Sequence, residues 1–506
     1  MIFGHAKDGN VHFLINERFD QGAQLDRYAA FTEEMVQLVL GQSGTLKAEH
    51  GTGRMMAPYV RRQYGNELYE VMQEVKRLCD PANLLNPGIL LNEDPASYIS
   101  HLKVTPTVEK EVDRCVECGY CEPVCPSKDL TLTPRQRIVL RREIAKAQAS
   151  GDGALLADLE KEYQYDGVDT CAVDGMCQTA CPVLIDTGDL VRRLRAEQSN
   201  VIEGAGWKFA AKHWNAVSRA GGVGLSAAKK LPAPLVSATT SALRSVLGSD
   251  SVPQWSKDLP GGGFARVSKS SSNPSAVFFT ACVGTMFGPV DGSAGVSAAL
   301  MALSARAGVE LLVPEGIASM CCGTPWKSKG LTDGYSQMQE RVLPALWEAS
   351  QHGELPIVSD ATSCTEGLEH LLHEAYPSLR IMDALTFVDE YVLPRITVGM
   401  KIESLALHPT CSSTRLGINE SLTRIAKAVA GEVVIPADWG CCGFAGDRGM
   451  LHPELTASAT ARESASVNSR EFSAYASANR TCEIGMTRAT GHSYRHLLEL
   501  LEEVSH

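Results

Sequence analysis

Apolar residues along this chain change their period several times, and each change predicts a different element. Val11 to Ile15 form a short apolar run that suits a β-strand. From there the period lengthens, with Tyr28, Phe31, Met35, Leu38 and Val39 recurring at helical spacing. After the segment EHGTGR a second helix is predicted, its apolar stripe made of Leu68, Val71, Met72 and Val75, and DPANLLNPG stops it. RQRIVLRREIAKAQ, between residues 135 and 148, is a strong helix former with its arginines and lysines on a polar face. Beyond residue 275 the pattern becomes short apolar strands that run into a cysteine: SAVFFTACVG, LPIVSDATSC, SLALHPTCSS and SAYASANRTC. Two copies of strand, helix, Cys-Cys-Gly loop and strand predict a pseudo-twofold pair of α/β units.

The fold class expected is therefore multidomain, α+β and α/β. An α+β remnant occupies residues 1 to 95, and an α-helical module with two cysteine runs occupies 105 to 200. A basic linker or amphipathic segment covers 204 to 274, and duplicated α/β units cover 275 to 395 and 400 to 500. A length of 506 residues suits roughly three to four domains. From Pro253 to Pro274 the composition turns to Gly and Ser, which marks a boundary.

Composition narrows the function classes. With 44% hydrophobic and 21% charged residues the chain reads as soluble and globular, and its net charge of -12 argues against nucleic acid as a partner. No apolar run approaches the ~20 residues needed to span a bilayer. Cysteine clusters in so long a chain read as metal or redox sites in a reducing compartment, so the cytoplasm or the cytoplasmic face of a membrane is expected. Residues 204 to 249 depart from the acidic average, with Lys208, Lys212, Arg219, Lys229, Lys230 and Arg244 and no acidic residue. They read either as an amphipathic surface touching anionic lipid or a membrane-bound acceptor, or as a solvated helical linker; the linker is favoured.

Fifteen of the sixteen cysteines fall into two kinds of metal-ligand pattern. In CVECGYCEPVCP, Cys115, Cys118, Cys121 and Cys125 stand in the spacing CxxCxxCxxxCP, which wraps a [4Fe-4S] cube with three sulfurs and lends the fourth to a neighbour. CAVDGMCQTACP repeats the register with Cys171, Cys177 and Cys181 but has Asp174 where the second cysteine would stand. Crossed ligation then assigns Cys115, Cys118, Cys121 and Cys181 to one cluster and Cys171, Cys177 and Cys125 to the other. The second is either [4Fe-4S] with an aspartate ligand or [3Fe-4S]; Asp174 can equally be a turn residue in Val-Asp-Gly. Zinc sites use paired CxxC hooks, so the triplet ending in Cys-Pro favours iron and sulfur.

The other eight cysteines are duplicated: Cys282, Cys321, Cys322 and Cys364 in one copy, and Cys411, Cys441, Cys442 and Cys482 in the next. Adjacent cysteines converging on one centre need an irregular loop, and Gly323 and Gly443 suit it. The pattern resembles the cysteine-rich "CCG" domains of the iron–sulfur subunits of heterodisulfide reductase, glycolate oxidase and anaerobic glycerol-3-phosphate dehydrogenase. Each family copy usually ends in CxxC, whereas here Gly367 and Gly485 replace the last cysteine. Four cysteines per copy still suffice for a [4Fe-4S] cube or a redox dithiol.

At the front, GHAKDGNVH, EHGTG and NPG resemble the C-terminal part of FAD-linked oxidases of the vanillyl-alcohol oxidase type, D-lactate and D-2-hydroxyacid dehydrogenases among them. His5, His12 and Glu49 form a two-histidine, one-carboxylate set suited to zinc or another divalent ion with a position open for substrate. His50 beside it suits a general base on the α-hydroxyl. The resemblance places Asn10 and Asn86 near the flavin, and Lys7 stands where family members usually carry glycine. It also implies an FAD-binding domain ahead of residue 1, so the chain is expected to be the C-terminal part of a fused dehydrogenase. Electrons from a D-2-hydroxyacid, D-lactate foremost, would leave FAD through the clusters to a quinone or cytochrome. The alternatives are an electron-transfer subunit docking on a separate flavoprotein, and a heterodisulfide reductase-like protein.

Overall fold

Two short strands open the chain, because the alternation from Ile2 to Phe13 is broken by a Gly9 in the left-handed conformation (φ 68°) that folds it back on itself. Strand β1 (Ile2–His5) pairs antiparallel with β2 (Asn10–Phe13), His5 opposite Asn10. The computed structural model describes residues 2–13, 15, 19, 22–102, 107–199, 201–290, 292–372 and 375–506. The predicted strand over Val11 to Ile15 is thus seen as Asn10–Phe13, and Leu14 lies outside the described residues.

The chain divides into two units, Met1–Val108 and Glu109–His506. In the first, helices Gly22–Gly41 and Val60–Cys79 follow the ribbon, and Tyr28, Val36, Met56, Tyr59 and Tyr98 make a small core. Only part of each predicted apolar stripe is used. Tyr28 is buried, but Phe31 and Leu38 are exposed, and so are Leu68, Val71 and Val75 on the second helix. The helical spacing is there, yet this small core covers only one edge of each stripe.

The second unit begins with the cysteine runs. Thr133 and Gln136 form a reciprocal capping box that starts helix Pro134–Ser150. Asp152 caps Gly153–Tyr163, and Asp186 caps Thr187–Gln198. These helices bury Ile138, Ile144, Tyr163, Leu190, Val191 and Leu194 together. The polar face expected for the first of them is not all polar surface: Arg137 and Arg142 are buried. Their guanidinium groups have partners inside, Gly167 O at 2.7 Å and Ser127 Oγ at 2.9 Å for Arg137, and Glu117 Oε1 at 2.6 Å for Arg142.

The basic segment is a second correction. It is helical, as expected, in Val201–Lys212, Trp214–Lys229 and Ala233–Leu247, but it is not solvated: the first packs on helix Thr332–Ala349 and the second on Val283–Met286. Trp214 enters the main core, and Trp207 O accepts the indole N–H of Trp326 at 2.9 Å. Trp207 and Trp214 point inward, while Phe209, Val223, Val246 and Leu247 remain exposed.

Two parallel four-stranded sheets complete the unit. Strands β3 (Ala276–Phe279), β4 (Leu311–Leu312), β5 (Ile357–Ser359) and β6 (Ile381–Asp383) lie in the order β4-β3-β5-β6. Strands β7 (Ile402–Leu407), β8 (Ala430–Val434), β9 (Ala474–Ser477) and β10 (Arg495–His496) lie in the order β10-β9-β7-β8. Numbered within each copy, both orders are 2-1-3-4. Their first strands are buried along much of their length, as helices on both faces of a parallel sheet require. In such sheets the carboxyl ends of the strands carry the functional loops. Cys282 and Cys364 follow β3 and β5, Cys411 and Cys482 follow β7 and β9, and each Cys-Cys pair follows the remaining edge strand, β4 or β8.

Candidate functional site

In the first unit one carboxylate oxygen gathers three imidazoles. Glu49 Oε1 pairs with His12 Nε2 and is approached by His5 Nε2 at 3.5 Å and His50 Nε2 at 3.7 Å. The hairpin supplies the first two histidines, and Asn10 holds the corner: its Nδ2 donates to Glu49 at 3.3 Å and its Oδ1 accepts the His5 N–H at 2.7 Å. Ligand atoms of His5, His12 and Glu49 lie within 4.8 Å of one another, close enough to share a divalent cation. His50 stands beside them in the left-handed conformation (φ 63°), a strained backbone for a residue with a side chain, and is 74% exposed. Asn86 occupies a turn after the second long helix, and no hydrogen bond joins it to this group among the described residues.

The cysteine runs of the second unit make two crossed sets. Cys115, Cys118, Cys121 and Cys181 line a cavity of about 20 Å³ beside Ile138 and Ile185. Burial pushes the Cys115 thiol up and that of Cys121 up to about 11, a proton affinity that a metal must displace. Cys125, from the first run, instead feels Asp174 and Cys171 of the second, and burial raises its pKa too. Its sulfur lies 3.1 Å from Ser127 Oγ and 3.7 Å from the Arg137 guanidinium. Burying a guanidinium costs several kcal/mol unless it is partnered; Arg137 donates to Gly167 O and Ser127 Oγ and lies beside the sulfurs of Cys125 and Cys171. Cys177 lies 3.6 Å from Asp186, and burial holds its thiol well above the ordinary range.

Asp174 connects this set to the sheets. Its carboxyl bonds Cys441, burial raises its pKa to about 6, and its Oδ2 is enclosed without a hydrogen-bond partner. Arg415, four residues after Cys411, clamps the loop: it reaches Asp174 O at 3.5 Å, Asp186 at 3.8 Å and Glu366 at 3.0 Å.

Beyond Asp174 opens a cavity of about 260 Å³ lined by all eight cysteines of the duplicated copies. Every cysteine is a free thiol. Cys282 and Cys321 sulfurs stand 3.6 Å apart, and Cys322 accepts hydrogen bonds from Cys321 and Cys364, which hold it well below the ordinary thiol range. In the second copy Cys441 lies beside Cys411, and Cys442, beside Cys482 and His408, is brought down to about 5. The second cysteine of each pair is thus held below the ordinary thiol range, toward the form that binds metal. Gly323 (φ 83°) and Gly443 (φ 68°) turn the loops; a Cβ on Gly323 would lie 2.7 Å from the Tyr335 ring.

Three side chains in these sites carry no motif: Arg137, Arg415 and His408. The sequence signal for His408 is its place three residues before Cys411, at the carboxyl end of β7. A buried unpartnered oxygen at Asp174 on the cavity wall, and a nitrogen at His408 beside Cys442 and Cys482, fit an iron–sulfur or metal group held by these thiols.

Comparison with known proteins divides the chain the same way. Residues 1–90 match the C-terminal domain of FAD linked oxidases, 111–185 a 4Fe-4S dicluster domain, and 276–369 and 405–487 the cysteine-rich CCG domain. The chain is 34% identical over 92 residues to glycolate oxidase subunit GlcD of Bacillus subtilis, covering 18% of this chain and 20% of that protein. It is 38% identical over 90 residues to the probable mitochondrial D-lactate dehydrogenase of Danio rerio, covering 18% of each. A longer match, 26% identical over 239 residues, links 37% of the chain to 23% of the D-2-hydroxyglutarate dehydrogenase of Pantoea ananatis. The chain thus spans about a fifth of the length of the curated relatives it matches. It joins the C-terminal domain of an FAD-linked oxidase to a 4Fe-4S dicluster domain and two cysteine-rich CCG domains.

Proposed function

We propose that this chain is the iron–sulfur part of an FAD-dependent D-2-hydroxyacid dehydrogenase, with D-lactate the favoured substrate. The observation that carries the reading is the convergence of His5, His12 and His50 on one oxygen of Glu49, in a chain that also holds fifteen clustered cysteines. His5, His12 and Glu49 would hold a divalent ion such as zinc, which would draw in the hydroxyl and carboxylate oxygens of the substrate. His50, exposed beside that set, would take the hydroxyl proton. Bound FAD would accept the hydride and the iron–sulfur centres would carry its electrons singly. Asn10 keeps Glu49 and the His5 backbone in register, and Asn86 is assigned to the flavin side.

In the dicluster domain the first set of four cysteines would hold a [4Fe-4S] cluster. Cys125, Cys171 and Cys177 would hold a second, either [3Fe-4S] or a [4Fe-4S] with Asp174 as ligand. The contact of Asp174 with Cys441 supports the three-thiolate form, since it directs the carboxyl toward the CCG cavity. The terminal acceptor would be a quinone or a cytochrome. The apolar residues exposed among the lysines of helices Val201–Lys212 and Trp214–Lys229 support a peripheral seat on an anionic membrane, on its cytoplasmic face.

A second reading, an electron-transfer subunit docking on a separate flavoprotein, is favoured by the exposed stripe of Leu68, Val71, Val75 and Leu78. One experiment tests the electron transfer that both readings share. The chain is purified anaerobically with whatever flavoprotein it accompanies, and iron, sulfide and EPR signals are measured before and after D-lactate. Reduction of the centres by D-lactate and not by L-lactate is expected. Iron and sulfide near zero after reconstitution, or centres that D-2-hydroxyacids leave oxidised, would overturn the proposal.

A further inference from the structure

The two CCG copies share strand order and cysteine order, so their differences stand out. Three residues before the first cysteine, the first copy has Phe279, a core residue in β3, and the second has His408. His408 is 1% exposed and its Nδ1 lies 2.8 Å from Glu463 Oε1, itself 2% exposed. A ring nitrogen of His408 and the sulfurs of Cys442 and Cys482 all fall within 4.8 Å of one another. Because Nδ1 is engaged by Glu463, the nitrogen free for that cluster is Nε2, and it is enclosed with no hydrogen-bond partner.

A buried imidazole nitrogen left unpaired costs about 1–3 kcal/mol. A histidine kept only for packing would have both nitrogens paired or be replaced by an apolar residue, as Phe279 replaces it in the first copy. A carboxylate on one ring nitrogen and an open second nitrogen is instead the arrangement that fixes the tautomer of a metal-ligating histidine. The corner of the second copy at Gly485 is less crowded than that of the first. A Cβ on Gly485, where a further cysteine would stand, would lie 3.5 Å from Cys442 Sγ and meet no polar side chain. At the corresponding corner of the first copy, Thr324 Oγ1 already lies 3.2 Å from Cys322 Sγ and only 2.4 Å from a Cβ on Gly367. Phe444 takes the place of that threonine in the second copy.

We propose that His408 is a ligand, through Nε2, of the iron–sulfur centre held by Cys411, Cys441, Cys442 and Cys482, so that the copies hold unlike centres. The first is all thiolate; the second has one imidazole. The assignment rests on the reading that the CCG cysteines hold iron–sulfur centres. His408 adds a neutral nitrogen donor to the four thiolates of its copy, so the two centres differ in donor set and not in the number of thiolates. The distinct centre would lie in the copy that Asp174 and Arg415 join to the dicluster domain.

The test uses the full chain, reconstituted anaerobically, with pulse EPR of the partially reduced protein grown on natural or ¹⁵N-labelled histidine. A strongly coupled nitrogen whose frequencies change with the label is expected, absent in His408→Ala and retained in His452→Gln. Cys482→Ser reports separately on the centre and is expected to lower iron and sulfide. If Cys482→Ser lowers iron but labelled protein shows no histidine coupling, His408 is not a ligand while the iron–sulfur reading stands. If Cys482→Ser leaves iron unchanged, the second copy holds no centre and both fall. The labelled wild-type chain decides the question even where His408→Ala fails to fold.

Discussion

Glu49 and Glu463 each face imidazole, and they do so in opposite surroundings. Glu49 is shared among three histidines at a surface, two of which keep more than half their side chain in solvent. Glu463 serves one histidine in a pocket where both are almost fully buried. An open ring of ligands leaves a position for a substrate to enter and a proton to leave; a closed one leaves none, and suits a centre that only exchanges electrons. On the function proposed above, the same pair of residue types would support chemistry at one end of the chain and conduction at the other, with exposure deciding which.

The largest expected effect comes from removing the shared carboxylate. Glu49→Gln should lower D-lactate-driven reduction of the centres by roughly 100-fold or more, since it removes a metal ligand where even the partners of ligands are worth roughly 10- to 100-fold. Iron and sulfide content should not change, because the cysteines belong to the other unit. Turnover that survives the substitution would leave Glu49 a surface ion-pair partner and no more. Steady-state assays with dithionite-reducible iron as the internal standard make that distinction.

Next comes the closed pocket. Glu463→Gln keeps the size and the hydrogen bond to Nδ1 but removes the charge that orients the ring. Loss of such a partner weakens metal sites by roughly 10- to 100-fold. The expected outcome is faster bleaching of one class of iron–sulfur absorbance under an iron chelator, with the dicluster signals untouched. Bleaching at the wild-type rate would mean that Glu463 only fills space, and the contrast with Glu49 would lose its second half.

How much of this was legible beforehand depends on what kind of residue carried it. Cysteine spacing is legible because ligands on one loop must sit at fixed offsets, so Cys115 to Cys125 and the two Cys-Cys-Gly loops announce themselves. The strands that deliver Cys282 and Cys411 are legible for a related reason, since a parallel strand buried on both faces is a continuous apolar run. His408 was not, because a single histidine at a strand end looks like any core histidine until the unpartnered nitrogen and Glu463 are seen beside it. Arg137 and Arg142 were misread as polar surface because periodicity carries no information about thiolates and carboxylates brought in by other loops. The basic segment misled in the same way: its lysines are visible in sequence, but the packing of Trp207 and Trp214 against Trp326 is tertiary. Asp174 was visible as a gap in a motif, and its neighbour Cys441 was not, since the two meet only in the folded chain.

The smallest expected effect belongs to a third histidine, which shows what a purely structural pair does. His452 is buried with both ring nitrogens engaged, Nε2 to Asp250 at 3.1 Å and Nδ1 to Glu454 at 3.0 Å, so it has no nitrogen left for a metal. Burial disfavours its charge, but the two carboxylates outweigh burial and raise its pKa. A pKa raised in the folded state stabilises fully below the unfolded value of about 6.5 and loses that stabilisation as pH rises through the folded value. Asp250, its pKa lowered by His452 and Arg448 against the opposing effect of burial, behaves inversely, contributing above about 3.9 and losing that contribution as pH falls. His452→Gln should therefore cost on the order of 1 kcal/mol at pH 6, reduced from a fully buried pair because both carboxylates are partly exposed. The difference from wild type, read as thermal midpoints at one scan rate under argon, should shrink from pH 6 to pH 9. Iron content should stay constant throughout. A gap that widens with pH would reverse the sign of the linkage, and a fall in iron would place this pair with Glu463 and His408 instead of apart from them.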